Sequence, residues 1–122
     1  MLYAEQHTVT LTTNGSGAAT GYTPEITGEI RTISYVKTDF ADGVDFTLTG
    51  ETSGQQVWVQ EDVNASAVVH PRQQVHTVAG VAATYDGTRP ILEPALLAGE
   101  RLKIVVAAGG DTTTGTFIVV VG

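Results

Sequence analysis

RLKIVVAAGGDTTTGTFIVVVG, residues 101–122, has the pattern of two β-strands joined by a polar turn. In its first part Leu102, Ile104 and Val106 share one parity, and the charged residues share the other. A period of two is typical of a strand with one buried face. The central AAGGDTTTG supplies the small and polar residues that turns favour. The stretch therefore predicts a C-terminal β-hairpin.

The last strand, Phe117–Val121, is apolar on both of its faces. Such a strand is usually covered on both faces, and its edge pairs readily with any free strand. We expect the cover to come either from the chain's own sheets or from neighbouring copies. On the second alternative, a subunit interface would be formed by apolar residues of the hairpin, namely Leu102, Ile104, Phe117, Ile118, Val119, Val120 and Val121.

Strand patterns recur along the rest of the chain and are separated by turn residues at the spacing of all-β domains. They include HTVTLTT, EITGEIRTISYVK, FADGVDFTLTG and QQVWVQED. We count about seven to eight antiparallel strands, which predicts a two-sheet β-sandwich or jelly roll. In EITGEIRTISYVK the parity of the apolar residues slips, which predicts a β-bulge near Arg31–Thr32.

The length of 122 residues predicts one domain, 1–122. Residues 1–6 are assigned to an N-terminal arm. Residues 64–90 form a long, weakly patterned connection, in which we expect one or two short strands and a turn of helix near Val78–Thr84.

The composition excludes several classes of function. The chain has no cysteine, which excludes disulfides, thiolate nucleophiles and cysteine metal sites. A net charge of −7 disfavours nucleic acid as a partner. No apolar run has the length of a membrane span, and the opening MLYAEQHTVT lacks the pattern of a signal peptide.

Side chains that could perform chemistry are sparse. His70 and His76 are too far apart on an extended chain to share a metal ion, and the aspartates around Gly43 do not have the spacing of a calcium loop. No nucleophile elbow, phosphate loop or dinucleotide fingerprint is found. We expect no catalytic residues, no metal and no cofactor, and we do not expect an enzyme.

Trp58 falls on the outward parity of its predicted strand, between Gln56 and Gln60. An exposed tryptophan there could anchor an interface or stack on a sugar. The other interpretation is that the parity is inverted and Trp58 belongs to the core.

The charges are unevenly distributed. Six acidic residues and no Lys or Arg lie between Thr38 and Ala65. The less acidic stretch that follows carries His70, Arg72, His76 and Arg89 against Asp86 alone. The folded domain is therefore expected to have an acidic region and a less acidic one.

Two long segments together resemble small structural proteins of tailed bacteriophage virions. The first is GEIRTISYVKTDFADGVDFTLTGETSGQQVWVQEDVNASAVVHPRQ, and the second is LAGERLKIVVAAGGDTTTGTFIVVVG. Within that group the chain is most similar to the jelly-roll cement or decoration proteins of short-tailed phages. The resemblance lies in the overall pattern of these segments and carries no single diagnostic motif.

The resemblance implies a protein made in the host bacterial cytoplasm that binds the outer capsid surface of the virion. The resemblance implies two partners. One is the major capsid protein, and the other is the chain itself, which would form a homotrimer. The residues that would then face the capsid are His70, Arg72, His76 and Arg89.

Two alternatives stay open. One is a carbohydrate- or host-binding module of a virion fibre or tip, with Trp58, Tyr22, Tyr35 or Tyr85 as stacking platforms. The other is a head–tail joining or tail component.

Overall fold

The computed structural model describes residues 4–122 and confirms the predicted all-β class. Within those residues there are eight strands and no helix. The strands are β1 (Glu5–Thr12), β2 (Ala19–Lys37), β3 (Val44–Gly50), β4 (Gln56–Val63), β5 (Ala67–Val69), β6 (Arg72–Gln74), β7 (Leu92–Ala107) and β8 (Thr114–Val121).

The strands pair in the order of a jelly roll because the long strand β2 belongs to both sheets. Its second half pairs with β8 and β5, and β1 pairs with the other edge of β8. Its first half pairs with β7, which pairs with β3, and β3 pairs with β4. All these pairs are antiparallel. The first sheet is therefore β1-β8-β2-β5 and the second is β2-β7-β3-β4.

Irregularities in β2 allow it to pass from one sheet to the other. The register with β7 shifts between Tyr22 and Glu25, around Pro24, which has no amide hydrogen to donate. Nearby, Gly28 has a φ of 142°. The register with β8 shifts between Ile30 and Thr32, which confirms the bulge predicted near Arg31–Thr32. A bulge bends a strand and increases its local twist.

The core between the sheets is centred on aromatic rings. Tyr35 lies 5.0 Å from Phe46 and 5.3 Å from Phe117, measured between ring centroids, and Phe46 lies 4.8 Å from Trp58. Edge-to-face and tilted pairs at these distances are favourable. Branched aliphatic side chains of β2, β3, β7 and β8 fill the remaining volume.

Five of the seven residues predicted for a subunit interface lie in this core, so that prediction is wrong for them. They are Leu102, Ile104, Phe117, Val119 and Val121. The physical reason is that β8 is a central strand, flanked by β1 and β2, whose inner face packs against the other sheet. The chain therefore covers this face of the strand itself. Ile118 and Val120 lie on the outer face and are half-buried.

Trp58 is also buried, at 9% exposure, which confirms the interpretation that it belongs to the core and makes its prediction as an exposed anchor wrong. The register between β3 and β4 shifts next to Leu48, which pairs with Trp58. This irregularity places Val57 and Trp58 on the core side together, and Val59 is exposed. The Trp58 indole nitrogen donates to the Gln60 side-chain oxygen at 3.0 Å.

The terminal and connecting segments also differ from their assignments. In the predicted N-terminal arm, residues 1–3 lie outside the described residues, and Glu5 and Gln6 belong to β1. Residues 64–90 contain the two short strands β5 and β6, as expected. The turn of helix predicted near Val78–Thr84 is wrong, because this segment forms β-turns and isolated bridges. In the part of the chain that is described, no helix has the length and hydropathy of a membrane span.

Candidate interaction surfaces

Residues 75–91, which we call the projection, form two consecutive hairpins held by a closed ring of hydrogen bonds. The Val75 amide donates to the Ile91 carbonyl at 2.8 Å, and the Ile91 amide donates to the Ala83 carbonyl at 3.2 Å. The Ala83 amide completes the ring by donating to the Val75 carbonyl at 2.8 Å. Three points spaced eight residues apart therefore meet at the base of the hairpins.

Turn residues explain why each hairpin closes where it does. In the first, the Gly80 amide donates to the Thr77 carbonyl at 2.9 Å, and Gly80 has a φ of 78°. In the second, the Asp86 carboxylate accepts from the amide of Thr88 at 3.0 Å and from the amide of Arg89 at 2.6 Å. Aspartate and glycine suit such turns because they bond locally and tolerate positive φ. The projection is thus ordered by local chemistry.

The projection extends away from the sandwich and exposes apolar side chains. Every residue between 76 and 93 is exposed except Ala83, which is half-buried. Val78 is fully exposed at the first turn, and Val81 and Tyr85 are more than half exposed. Exposed apolar side chains that form a contiguous patch are characteristic of interaction sites.

The base of the projection is attached to the second sheet. β6 pairs with the first residues of β7, and the Gln73 side-chain amide donates to the Gln56 carbonyl at 2.7 Å. Pro71 is buried beside this contact. The base is therefore fixed by strand pairing and a side-chain hydrogen bond.

The projection carries no net formal charge. Asp86 and Arg89 are its only formally charged residues, and the Arg89 Nε lies 3.2 Å from the Asp86 Oδ2. The amide hydrogen bonds from Arg89 and Thr88 lower the pKa of Asp86 below its ordinary value. The whole net charge of −7 thus lies on the rest of the chain.

The four residues predicted to face the capsid are all exposed and lie in or beside the projection. His70 and Arg72 lie at its base, while His76 and Arg89 belong to it. The structure thus places the four residues on one continuous segment. Their assignment to a capsid contact stays a prediction.

A second surface, which we call the uncharged face, is the outer face of the sheet β1-β8-β2-β5. Its side chains alternate with the core residues of the same strands, and the twelve side chains that form it are uncharged, while the exposed Arg31 lies at its end, at the bulge beside Thr32. The set comprises Gln6, Thr8, Thr10, Thr12, Thr32, Ser34, Val36, Val68, Thr114, Thr116, Ile118 and Val120.

Cross-strand pairs of small and branched side chains build the uncharged face. The Thr10 and Thr116 hydroxyls lie 3.2 Å apart, and Ser34 pairs with both Ile118 and Val68. Such pairs stabilise a sheet without charges. The sequence places Ile118 and Val120 on the strand face opposite Phe117, Val119 and Val121. It does not show the lack of charge around them, because that surface combines four strands distant in sequence.

The outer face of the other sheet is different because it is charged. The Arg101 guanidinium lies 4.1 Å from the centroid of the Tyr22 ring, and its Nε donates to Glu51 Oε1 at 2.8 Å. Lys103 and Asp45 lie on the same face, while Val59 is exposed at its β4 edge. This face resembles an ordinary solvated protein surface.

One carboxylate is buried, and its contacts are structural. Glu100 accepts hydrogen bonds from the Thr52 amide at 2.9 Å and from the Ser53 amide and hydroxyl at 3.0 and 3.2 Å. These bonds lower the pKa of Glu100, the Ser53 amide having the largest effect. The carboxylate therefore caps the turn after β3.

Among residues 4–122 no three His, Asp or Glu side chains converge as metal ligands. Asp39 and Asp45, two of the aspartates around Gly43, accept hydrogen bonds from the amides of Thr114 and Asp62, respectively. Comparisons of the chain with protein-family models, curated proteins and solved structures find no match.

Proposed function

We propose that this chain is a structural protein of a tailed bacteriophage virion, a decoration or cement protein that binds the outer capsid surface and associates with copies of itself. The observation that carries the proposal is the projection, an apolar element ordered by its own hydrogen bonds and attached to a closed sandwich. Such an element is suited to bind a partner, because little conformational entropy is lost when it does so.

The fold and the charge distribution support the same function. The jelly-roll order of the strands agrees with the fold that the sequence resemblance implies. A net charge of −7 suits a protein on the outside of a shell, away from packaged DNA. The four basic residues in and beside the projection supply the candidate capsid contact.

Binding alone would perform this function. A protein that binds only the assembled shell stabilises it by about 2.7 kcal/mol per site at a hundredfold excess over its Kd. An oligomer that engages several sites at once gains avidity without any new contact. Hence no catalytic group is needed.

The carbohydrate-binding alternative loses its main support. Trp58 and Tyr35 are buried, so neither ring is available for stacking on a sugar. Tyr22 is already covered by the Arg101 guanidinium, so of the four rings Tyr85 alone is still available, exposed in the projection with the Arg89 guanidinium 5.8 Å from its centroid. Nothing in the described part of the chain favours the head–tail position over the capsid surface.

The experiment that tests the proposal is sedimentation of the purified chain with empty, expanded heads assembled from the major capsid protein encoded with it. We expect saturable binding at a fixed ratio to the capsid subunits and a higher temperature of head disruption. Arg72→Glu should weaken binding, because it reverses a charge at the proposed contact. Lys103→Glu, on the charged outer face, is the matched control and should bind normally.

Two results would contradict the proposal. One is a chain that stays in the supernatant at every concentration. The other is binding that leaves the disruption temperature of the heads unchanged, because a cement protein must stabilise the shell that it binds.

A further inference from the structure

We infer that the projection of one copy of this chain docks on the uncharged face of a neighbouring copy. The inference rests on the self-association named in the proposed function and assigns the two surfaces that form it. It does not depend on the capsid.

The first step of the argument is electrostatic. Each copy carries a net charge of −7, so two copies repel one another over most of their surfaces. The projection has no net charge, and the twelve side chains of the uncharged face are uncharged, with the Arg31 charge at its end 3.2 Å from Glu29. A contact between these two surfaces brings the fewest like charges together.

The second step is chemical. The projection offers Val78 and Val81, which make no contact with the sandwich that would cover them. The uncharged face offers Val36 on β2 and Val68 on β5, exposed by 41% and 62%, and Ile118 on β8, which pairs with the other side of β2. Burying these apolar groups against each other removes both from water.

The third step concerns rigidity. The ring of hydrogen bonds through Val75, Ala83 and Ile91 holds the projection in one shape before binding. The uncharged face consists largely of β-branched side chains, whose rotamers are already restricted. Association therefore loses little side-chain or loop entropy.

The two surfaces are different, so the contact is heterologous. A heterologous contact either closes into a ring or continues as an open chain. Every copy then donates one projection and accepts another. Of the two outcomes we expect the closed ring of defined mass, because it leaves no projection and no uncharged face unpaired; a trimer is one case.

The test uses sedimentation of the wild-type chain and of two charge variants over a wide concentration range, without capsids. Val78→Asp disrupts the projection, which is the donor surface of the contact. Val36→Asp disrupts the uncharged face, which is the acceptor surface. Each variant should sediment as a monomer at concentrations where the wild-type chain associates. Its self-association should be at least about tenfold weaker than that of the wild type, because a buried unpaired carboxylate opposes the contact. Val59→Asp, on the charged outer face, is the control and should keep the wild-type mass.

Mixing the two variants provides the sharper test. Val78→Asp keeps an intact acceptor and Val36→Asp keeps an intact donor, so the mixture should form one-to-one dimers and nothing larger. A contact between two identical surfaces would give no such rescue. Val68→Asp, on the same uncharged face, replaces Val36→Asp if the latter does not fold.

Three results would overturn the inference. The first is a wild-type chain that remains monomeric at all concentrations. The second is a wild-type mass in both single variants. The third is a mixture of folded variants that stays monomeric. In each of these cases binding to the capsid is measured separately with heads, so failure here is distinct from failure of the proposed capsid binding.

Discussion

Tyr35 of β2 lies directly opposite Phe117 of β8, with their ring centroids 5.3 Å apart in the middle of the core. The Tyr35 hydroxyl is buried there and has no hydrogen-bond partner among residues 4–122. A buried, unpaired hydroxyl costs about 1–3 kcal/mol of desolvation. The ring therefore stabilises the core, while the hydroxyl opposes it.

Replacing Tyr35 with phenylalanine should stabilise the protein. The ring contacts with Phe46 and Phe117 remain, and the unpaired hydroxyl is removed. We expect the free energy of unfolding to rise by about 1 kcal/mol, measured by urea denaturation at pH 7. Tyr22→Phe, at an exposed ring, is the control and should change little; a destabilised Tyr35→Phe variant would contradict the prediction.

The same hydroxyl predicts a loss of stability in alkaline solution. Burial first, and the negative charge of Asp42 second, raise the pKa of Tyr35 from 10.0 to about 12. The neutral form is thus favoured in the folded state. Its contribution to the free energy of unfolding is complete below pH 10 and is lost as the pH rises from 10 towards 12. Denaturation measured between pH 9 and 12 should show a smaller decline for Tyr35→Phe than for the wild type. Equal declines would contradict this assignment.

Glu100 predicts the opposite dependence in acid. The pKa of Glu100 is lowered by the hydrogen bonds from Ser53 and Thr52. The carboxylate therefore contributes to the free energy of unfolding above its ordinary pKa of 4.5, and this contribution is lost as the pH falls below that value. Glu100→Gln should lower the thermal midpoint at pH 7 and should also flatten its decline between pH 5 and 3. Glu93→Gln, at an exposed position, should retain the wild-type profile.

The sequence was sufficient to predict most of the sandwich, because alternation of apolar residues specifies which side of a strand is buried. It could not decide between an exposed and a buried Trp58, since the irregularity of β4 reverses the parity that a regular strand would have. It likewise assigned five residues of β7 and β8 to an interface, because the pattern cannot show whether the covering sheet belongs to the same chain.

The candidate surfaces were harder to predict for another reason. The ring of the projection joins Val75, Ala83 and Ile91, and such contacts leave no periodic signal. The apolar residues between 78 and 84 suggested a turn of helix, although the turn chemistry of Thr77 and Asp86 favours hairpins. Those turn residues are the signal from which the hairpins could have been predicted.

A glycine in β8 predicts a strongly destabilising substitution. A methyl group on Gly115 would overlap the Phe40 ring, which is buried and cannot move aside freely. Overpacking of this kind costs about 1–3 kcal/mol, so Gly115→Ala should unfold at a lower urea concentration. Gly15→Ala is the control, because its added methyl would lie no closer than 3.8 Å to other atoms. Equal stability of the two variants would contradict the prediction.

The projection should open independently of the sandwich when its ring is broken. Ala83→Pro removes the amide that donates to Val75, whereas Ala83→Gly keeps it. Because the projection contributes no residue to the core, the thermal midpoint of Ala83→Pro should stay close to that of the wild type. Limited proteolysis should then cut Ala83→Pro within residues 75–91 much faster than Ala83→Gly. A large fall in the midpoint, or equal cleavage of the two variants, would show that the projection and the sandwich unfold together and that the ring does not order the projection.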